Sequence, residues 1–318
     1  NVVLEVETIS ACKSGGAICG FLYGGTISNC RTLQGTDGMV SMGYTSYNGD
    51  HRVGGIVGYI SESSRVTKCT NGARIEGLNS NYNYSRMGGI AGSASSNSVI
   101  DSCVNAGDII TSSKYIGGIC GTGGQISCCV NYGKIKADNL SYRVAGIAFD
   151  ATIEKCVNSG SIVLPMMSQN DCYVAGIGIG RSVKYSYNVG EITGKNAQYT
   201  AGVCVSGTCE YNYNAAQLTG DHVYAVCNTT NSHCFYDTQM SLVEDDFATA
   251  KTTQEMCQLT STNLGANFTY ESNMYPRITG LGYTPASVAT ASPVFLYGSE
   301  TVALVENDFT MGGCSHSV

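Results

Sequence analysis

The stretch Tyr115-Ile-Gly-Gly-Ile-Cys-Gly-Thr-Gly-Gly-Gln-Ile-Ser-Cys-Cys-Val-Asn-Tyr-Gly-Lys-Ile135 contains two motifs that return along the whole chain. The first is a small-small-apolar triplet. It reads Gly15-Gly16-Ala17, Gly54-Gly55-Ile56, Gly88-Gly89-Ile90, Gly117-Gly118-Ile119, Ala145-Gly146-Ile147, Ala175-Gly176-Ile177 and Ala201-Gly202-Val203, with a degenerate eighth copy at Tyr224-Ala225-Val226. Successive copies lie 39, 34, 29, 28, 30, 26 and 23 residues apart. The second motif is Cys-x-Asn-x-Gly-x-Ile, strict at Cys103–Ile109, Cys129–Ile135 and Cys156–Ile162 and looser elsewhere. Its Asn recurs as Asn71, Asn105, Asn131, Asn158, Asn188 and Asn214, while the first copy, around Cys30, lacks it.

A repeat near thirty residues must be read before any domain count, because one unit cannot bury its own inner face and stacking supplies the partner. Each unit holds three short apolar runs, such as Ile116–Cys120, Gln125–Val130 and Lys134–Ala137, too short for helices and suited to strands. The expected fold is therefore all-β: a β-solenoid, a three-sided β-helix of about eight coils. Recurring Gly suits corners that need positive φ or close backbone approach. The Asn column suits turns, and six Asn in register also allow a stacked amide ladder. The residue before each small pair (Val53, Met87, Ile116, Val144, Val174, Thr200) reads as inward. Alternation then turns its predecessor outward. That outward column is Arg52, Arg86, Tyr115, Arg143, Tyr173 and Tyr199, types enriched at binding hot spots. Long insertions add Tyr44, Tyr47, Tyr82 and Tyr84 to the candidate binding residues.

Composition narrows the function classes. The chain has 318 residues, a net charge of −7, 13% charged residues, 40 Gly and no Trp. An acidic balance without Lys/Arg clusters disfavours nucleic acid. No apolar run approaches the ~18 residues of a membrane span. The chain begins with Asn1, as expected of a processed or excised segment. Charge is too low and apolar content too high for disorder.

The sixteen Cys fall largely into columns. Cys30, Cys69, Cys103, Cys129 and Cys156 form one, and Cys19, Cys120, Cys204 and Cys227 another. No Cys-x2-Cys pair or matching His spacing exists, so neither a metal nor a cofactor is expected. The column Cys read either as small buried hydrophobes or as disulfides. The candidate pairs staple a corner within one coil: Cys19 with Cys30, Cys120 with Cys128 or Cys129, Cys204 with Cys209, and Cys227 with Cys234.

Three segments are expected: 1–240, the solenoid with a capping strand at its start; 241–284, a cap with short helices; and 285–318, a strand-like extension or the start of a further domain. The cap carries a capping-box signal, Thr252-x-x-Glu255, and an acidic run, Glu244-Asp-Asp246, read as helix N-terminal charge.

The paired motifs, as in Gly117–Gly121 with Cys129–Ile135, resemble the GLUG-motif repeats of bacterial or archaeal-type surface proteins over roughly residues 10–240. Segments Phe235–Ser241, Thr252–Met256 and Tyr275–Ile278 resemble the closing region that follows such repeats. The resemblance implies an extracellular, adhesin-like protein and brings no catalytic residues.

Carboxylates appear scattered over coil faces, without the controlled pair that glycoside hydrolysis needs. No nucleophile elbow or phosphate loop occurs. The expectation is a non-enzymatic module that recognises a glycan or a protein on a host or neighbouring cell. Its alternative is a self-assembling subunit of an extracellular filament or sheath, whose partners are copies of itself. A polysaccharide-active β-helix enzyme comes third.

Overall fold

The structure is a computed structural model. It describes residues 2–11, 13–42, 50–77, 85–138, 141–164, 171–195, 197–245, 247–281, 310–311 and 314–315. The chain is an all-β solenoid whose coils pair in parallel, each strand with its counterpart one coil away. The three apolar runs of a repeat resolve into five short strands. In the coil opened by Tyr115 these are Tyr115–Gly117, Cys120–Thr122, Gln125–Ser127, Val130–Asn131 and Ile135–Ala137. They belong to ladders 1 to 5, in that order. In the first coil one long strand, Arg31–Met42, belongs to both ladders 4 and 5 and joins them into a single sheet. The expected capping strand is Val3–Ala11, which pairs in parallel with Arg31–Met42.

The two motifs are one device. In each of six coils the Asn side chain lies across the coil interior against the second Gly of the small pair. A Cβ on Gly55, Gly89, Gly118, Gly146, Gly176 or Gly202 would come closer than 3.0 Å to the Asn of its own coil and to the carbonyl of the equivalent residue one coil on. Close approach, rather than positive φ, therefore fixes these glycines. In the last coil Tyr236 takes the place of the Asn, and the second small residue there is Ala225.

This waist separates two apolar cores. On one side pack Val53, Met87, Ile116, Val144 and Val174 with Ile75, Ile109, Ile135, Ile162 and Ile192. On the other pack Ile56, Ile90, Ile119, Ile147 and Ile177 with Ile100, Ile126, Ile153 and the Cys69–Cys156 column. Burial of each Ile contributes about 1.5–3 kcal/mol relative to exposure, so the columns are the main cohesive term.

The Asn amides satisfy each other. Nδ2 of Asn71 donates to Oδ1 of Asn105 at 2.8 Å, and the pattern repeats through Asn131, Asn158 and Asn188 to Asn214. Each Nδ2 also donates to the carbonyl two residues on, as Asn131 does to Gly133 at 3.0 Å. Hydroxyls close both ends: Thr32 donates to Asn71 at 2.6 Å, and Asn214 donates to Ser241 at 2.9 Å. The Asn-free first copy thus carries Thr32 as a terminator.

The Asn do not take the left-handed positions, contrary to the expectation from their type, although each bonds the backbone two residues on. The left-handed residue is the one before the Cys column: Asn29, Lys68, Ser102, Cys128, Lys155, Tyr185, Tyr211 and His233, with φ between 50° and 56°. Asn stands in this column only once.

The C-terminal region differs from a simple plug. Helix α1 (Thr238–Ser241) caps on Asp237, whose carboxylate accepts from Gln239 and Met240. Helix α2 (Thr253–Met256) carries the expected capping box, and α3 (Ser261–Leu264) follows. Asp245 begins no helix; it accepts from the backbone N–H of Val226 in the last coil and of Phe247. The chain from α2 to Leu281 then returns along the outer face of ladder 4. There Met256, Leu264, Phe268, Tyr275, Ile278 and Leu281 cover Val104, Val130, Val157, Tyr187 and Tyr213. The cause lies in that outward column, which is apolar for five coils and would otherwise face water. Tyr213 donates to the Pro276 carbonyl at 2.7 Å, and Tyr275 to Asp237 at 2.6 Å.

Candidate functional site

Ladder 1 sets Arg52, Arg86, Tyr115, Arg143, Tyr173 and Tyr199 in direct register on consecutive coils. All six are half-buried. The small residues Ala145, Ala175 and Ala201 of the same ladder pack on Ile179 and Val205 of ladder 2, so the outward side chains stand at the mouth of a tight arch between the two ladders. Tyr44, Tyr47, Tyr82 and Tyr84 lie outside the described residues.

The stripe is internally bonded. Asp50 bridges two guanidinium groups, Arg52 at 2.6 Å and Arg86 at 2.9 Å. Arg143 pairs with Asp171 at 3.3 Å and donates to the Tyr142 carbonyl. Guanidinium carbons sit over rings: Arg52 over Tyr59 at 4.2 Å, Arg86 over Tyr115 at 5.8 Å, Arg143 over Tyr173 at 3.9 Å. Rings meet along the same line: Tyr115 with Phe149 at 5.2 Å, Tyr173 with Tyr199 at 5.4 Å, Tyr199 with Tyr224 and Tyr224 with Phe247 at 6.1 Å. At the other end Phe21 meets Tyr59 at 5.2 Å. Burial, then the Asp171 carboxylate, pushes the Tyr173 phenol up.

Because ring faces are taken by neighbours, the stripe offers mainly ring edges, phenol hydroxyls and guanidinium edges. Such a surface hydrogen-bonds a ligand laid along it and adds apolar contact at the rings.

The sequence missed Phe21, Tyr59, Phe149, Tyr224 and Phe247. Phe21, Tyr59 and Phe149 project from ladder 2, whose residues facing them on other coils include Ser93 and Thr122, so no periodic signal marks them. Tyr224 stands in the degenerate eighth triplet.

Other candidate groups fall elsewhere. Asp101, Glu154 and Glu210 share one outward column of ladder 3, a correction to the scattered placement expected. Ser127 and Lys184 stand between them; Ser127 donates to Asp101 at 2.6 Å, and Lys184 lies 2.7 Å from Glu210. His233 stacks on Tyr211 at 4.4 Å while the buried Cys234 thiol donates to the Ser232 carbonyl, so the two are not a nucleophilic pair.

The fourteen cysteines whose side chains the structure describes are unbridged thiols. The expected within-coil pairs are not made, because the two columns aim along different strands. Cys19, Cys120 and Cys204 donate to the carbonyl two residues on. Cys30, Cys69, Cys129 and Cys156 donate to the carbonyl two residues back. Cys128 is a left-handed corner residue outside both columns. Burial pushes the Cys120 thiol up to about 12, as befits a small core residue.

No family model, curated protein or solved structure matches this chain.

Proposed function

We propose that the protein is a non-enzymatic recognition module, extracellular in setting, that binds a linear glycan or an extended protein segment along the Arg/Tyr stripe. The observation that carries this reading is the stripe's continuity from Phe21 in the first coil to Phe247 beside the last. A ligand spanning several coils gains from many weak contacts at once, as multivalent surfaces do. The resemblance to GLUG-motif surface proteins supports the same setting. The test is a glycan array followed by titration of the hits. The triple variant Arg143→Ala, Tyr173→Ala, Tyr199→Ala is expected to weaken binding at least tenfold. Unchanged binding of that variant would move the site away from the stripe.

A second reading, end-to-end self-assembly, rests on the open first coil. The outer edges of Ser14–Gly16, Cys19–Tyr23 and Thr26–Ser28 pair with nothing among the described residues, and Phe21 and Tyr23 are exposed there. Unpaired strand edges are templates for another chain. Negative-stain microscopy separates the two: monodisperse particles favour the module, ordered fibres the subunit.

A further inference from the structure

We propose that Cys209 and Cys234 are partners in a disulfide that forms as the last two coils close. In earlier coils the corner thiol packs against a branched aliphatic residue of the coil before it. Cys103 aims at the Val66 carbonyl, Cys129 at that of Ile100 and Cys156 at that of Ile126. Cys234 repeats the geometry toward the Cys209 carbonyl at 3.6 Å. Cys103 and Cys129 accept from the backbone N–H of the cysteine one coil back, at 3.5 and 3.4 Å, whereas the carbonyl that Cys234 meets is itself a cysteine's and the two sulfurs face each other. Cys209 continues the inward column Val66, Ile100, Ile126, Ile153, Val183 and is its single thiol. The two Sγ atoms lie 3.7 Å apart, and both residues are nearly fully buried, at 1% and 2% exposure. Modest side-chain rotation closes that gap to the ~2.05 Å of a disulfide.

One further contact favours this pair. Nδ2 of Asn212 donates to Sγ of Cys209 at 3.2 Å while held by the Val183 carbonyl at 2.8 Å, which holds that sulfur in place. Cys204 and Cys227 face each other on neighbouring coils and adjoin Cys209, so they are the competing partners that peptide mapping separates. This inference is independent of the recognition reading.

The oxidant is a small-molecule disulfide. One thiolate attacks it, forming a mixed disulfide and expelling one thiolate of the oxidant. The second protein thiolate then attacks the protein sulfur of that bond and expels the other. Two electrons pass from the cysteines to the oxidant, and the two thiol protons end on its thiolates. Burial places the reaction in folding, before the cap shuts over the last coil.

The test refolds the reduced full chain with glutathione disulfide, blocks free thiols with iodoacetamide in denaturant, and maps unreduced peptides by mass spectrometry. The expected product links Cys209 to Cys234, two hydrogens lighter than the free pair. The other twelve of the fourteen cysteines with described side chains carry the alkyl label. Alkylation of both Cys209 and Cys234, or their linkage to Cys204 or Cys227, would overturn the proposal. Cys209→Val restores the residue type of its column and is the variant most certain to fold. It is expected to leave Cys234 labelled and to melt at a midpoint that reductant does not move, whereas reductant lowers that of the oxidised parent. A reductant-sensitive midpoint in Cys209→Val would contradict the assignment.

Discussion

Asn131 shows how one side chain holds three coils. It accepts from Asn105, donates to Asn158 and donates to its own Gly133 carbonyl. Its replacement orphans a donor on one neighbour and an acceptor on the other. Each buried orphan costs about 1–3 kcal/mol. Asn131→Ala is therefore expected to destabilise by roughly 3–5 kcal/mol in denaturant melts. Asn131→Asp is expected to do worse, because a carboxylate sets oxygen against the Asn158 oxygen and buries a charge. A loss below ~1 kcal/mol in either variant would show that the ladder is incidental. The register of these Asn, and an amide ladder, were legible in the sequence because identity repeats at coil period. The corner was not. Its left-handed residue varies from Lys155 to Tyr185 to His233, since any side chain that points to solvent serves there. A β-branched residue is the exception, as Cβ crowding is worst for it in this region. Lys155→Val is expected to lower stability by about 1–2 kcal/mol and Lys155→Gly to leave it near the parent value, read from the same melts.

At the scale of elements, the returning C-terminal segment is the part that periodicity did not reveal. Its signal was present in the residue before each Asn, Val104, Val130, Val157, Tyr187 and Tyr213, which is apolar although alternation turns it outward. An apolar outward column calls for a cover, and the segment from α2 to Leu281 supplies it. That contact responds to alkaline pH. Burial raises the phenols of Tyr187, Tyr213 and Tyr275, and in Tyr275 the Asp237 carboxylate adds to it. A raised folded-state pKa favours the neutral form in the fold, so the stabilisation is complete below the unfolded value near 10 and is lost as pH climbs beyond it. Stability is expected to be flat from pH 7 to about 9.5 and to fall above ~10. Phenolate absorbance of these three tyrosines should appear together with unfolding. Early, non-cooperative ionisation of all tyrosines, with stability unchanged, would contradict the burial of this segment. Tyr213→Phe keeps the ring stack but drops the bond to Pro276 and is expected to cost about 1 kcal/mol in melts.

For the whole molecule, the coil count and parallel stacking followed from the spacing of the triplets alone. The five-ladder cross-section did not, because the corner inside each apolar run is marked only by a small residue and a left-handed position. The Arg/Tyr column was legible for the same reason as the core: ladder 1 keeps one register from Arg52 to Tyr199. Its aromatic neighbours on ladder 2 were hidden because they do not repeat. Recognition along a stripe depends on this register, since a shift of one residue turns Arg143 inward and Val144 to solvent. The stacking itself is tested most directly by electron–electron distances between spin labels on ladder 1, attached through ketone-bearing residues so that native thiols do not interfere. One label replaces Ser14, and the other replaces Arg143, Tyr173 or Tyr199. Neighbouring coils lie about 4.8 Å apart, so the three distances are expected near 19, 24 and 29 Å, growing by one constant step. Distances that fail to increase in that order, or that spread without a defined maximum, would contradict a rod of stacked coils.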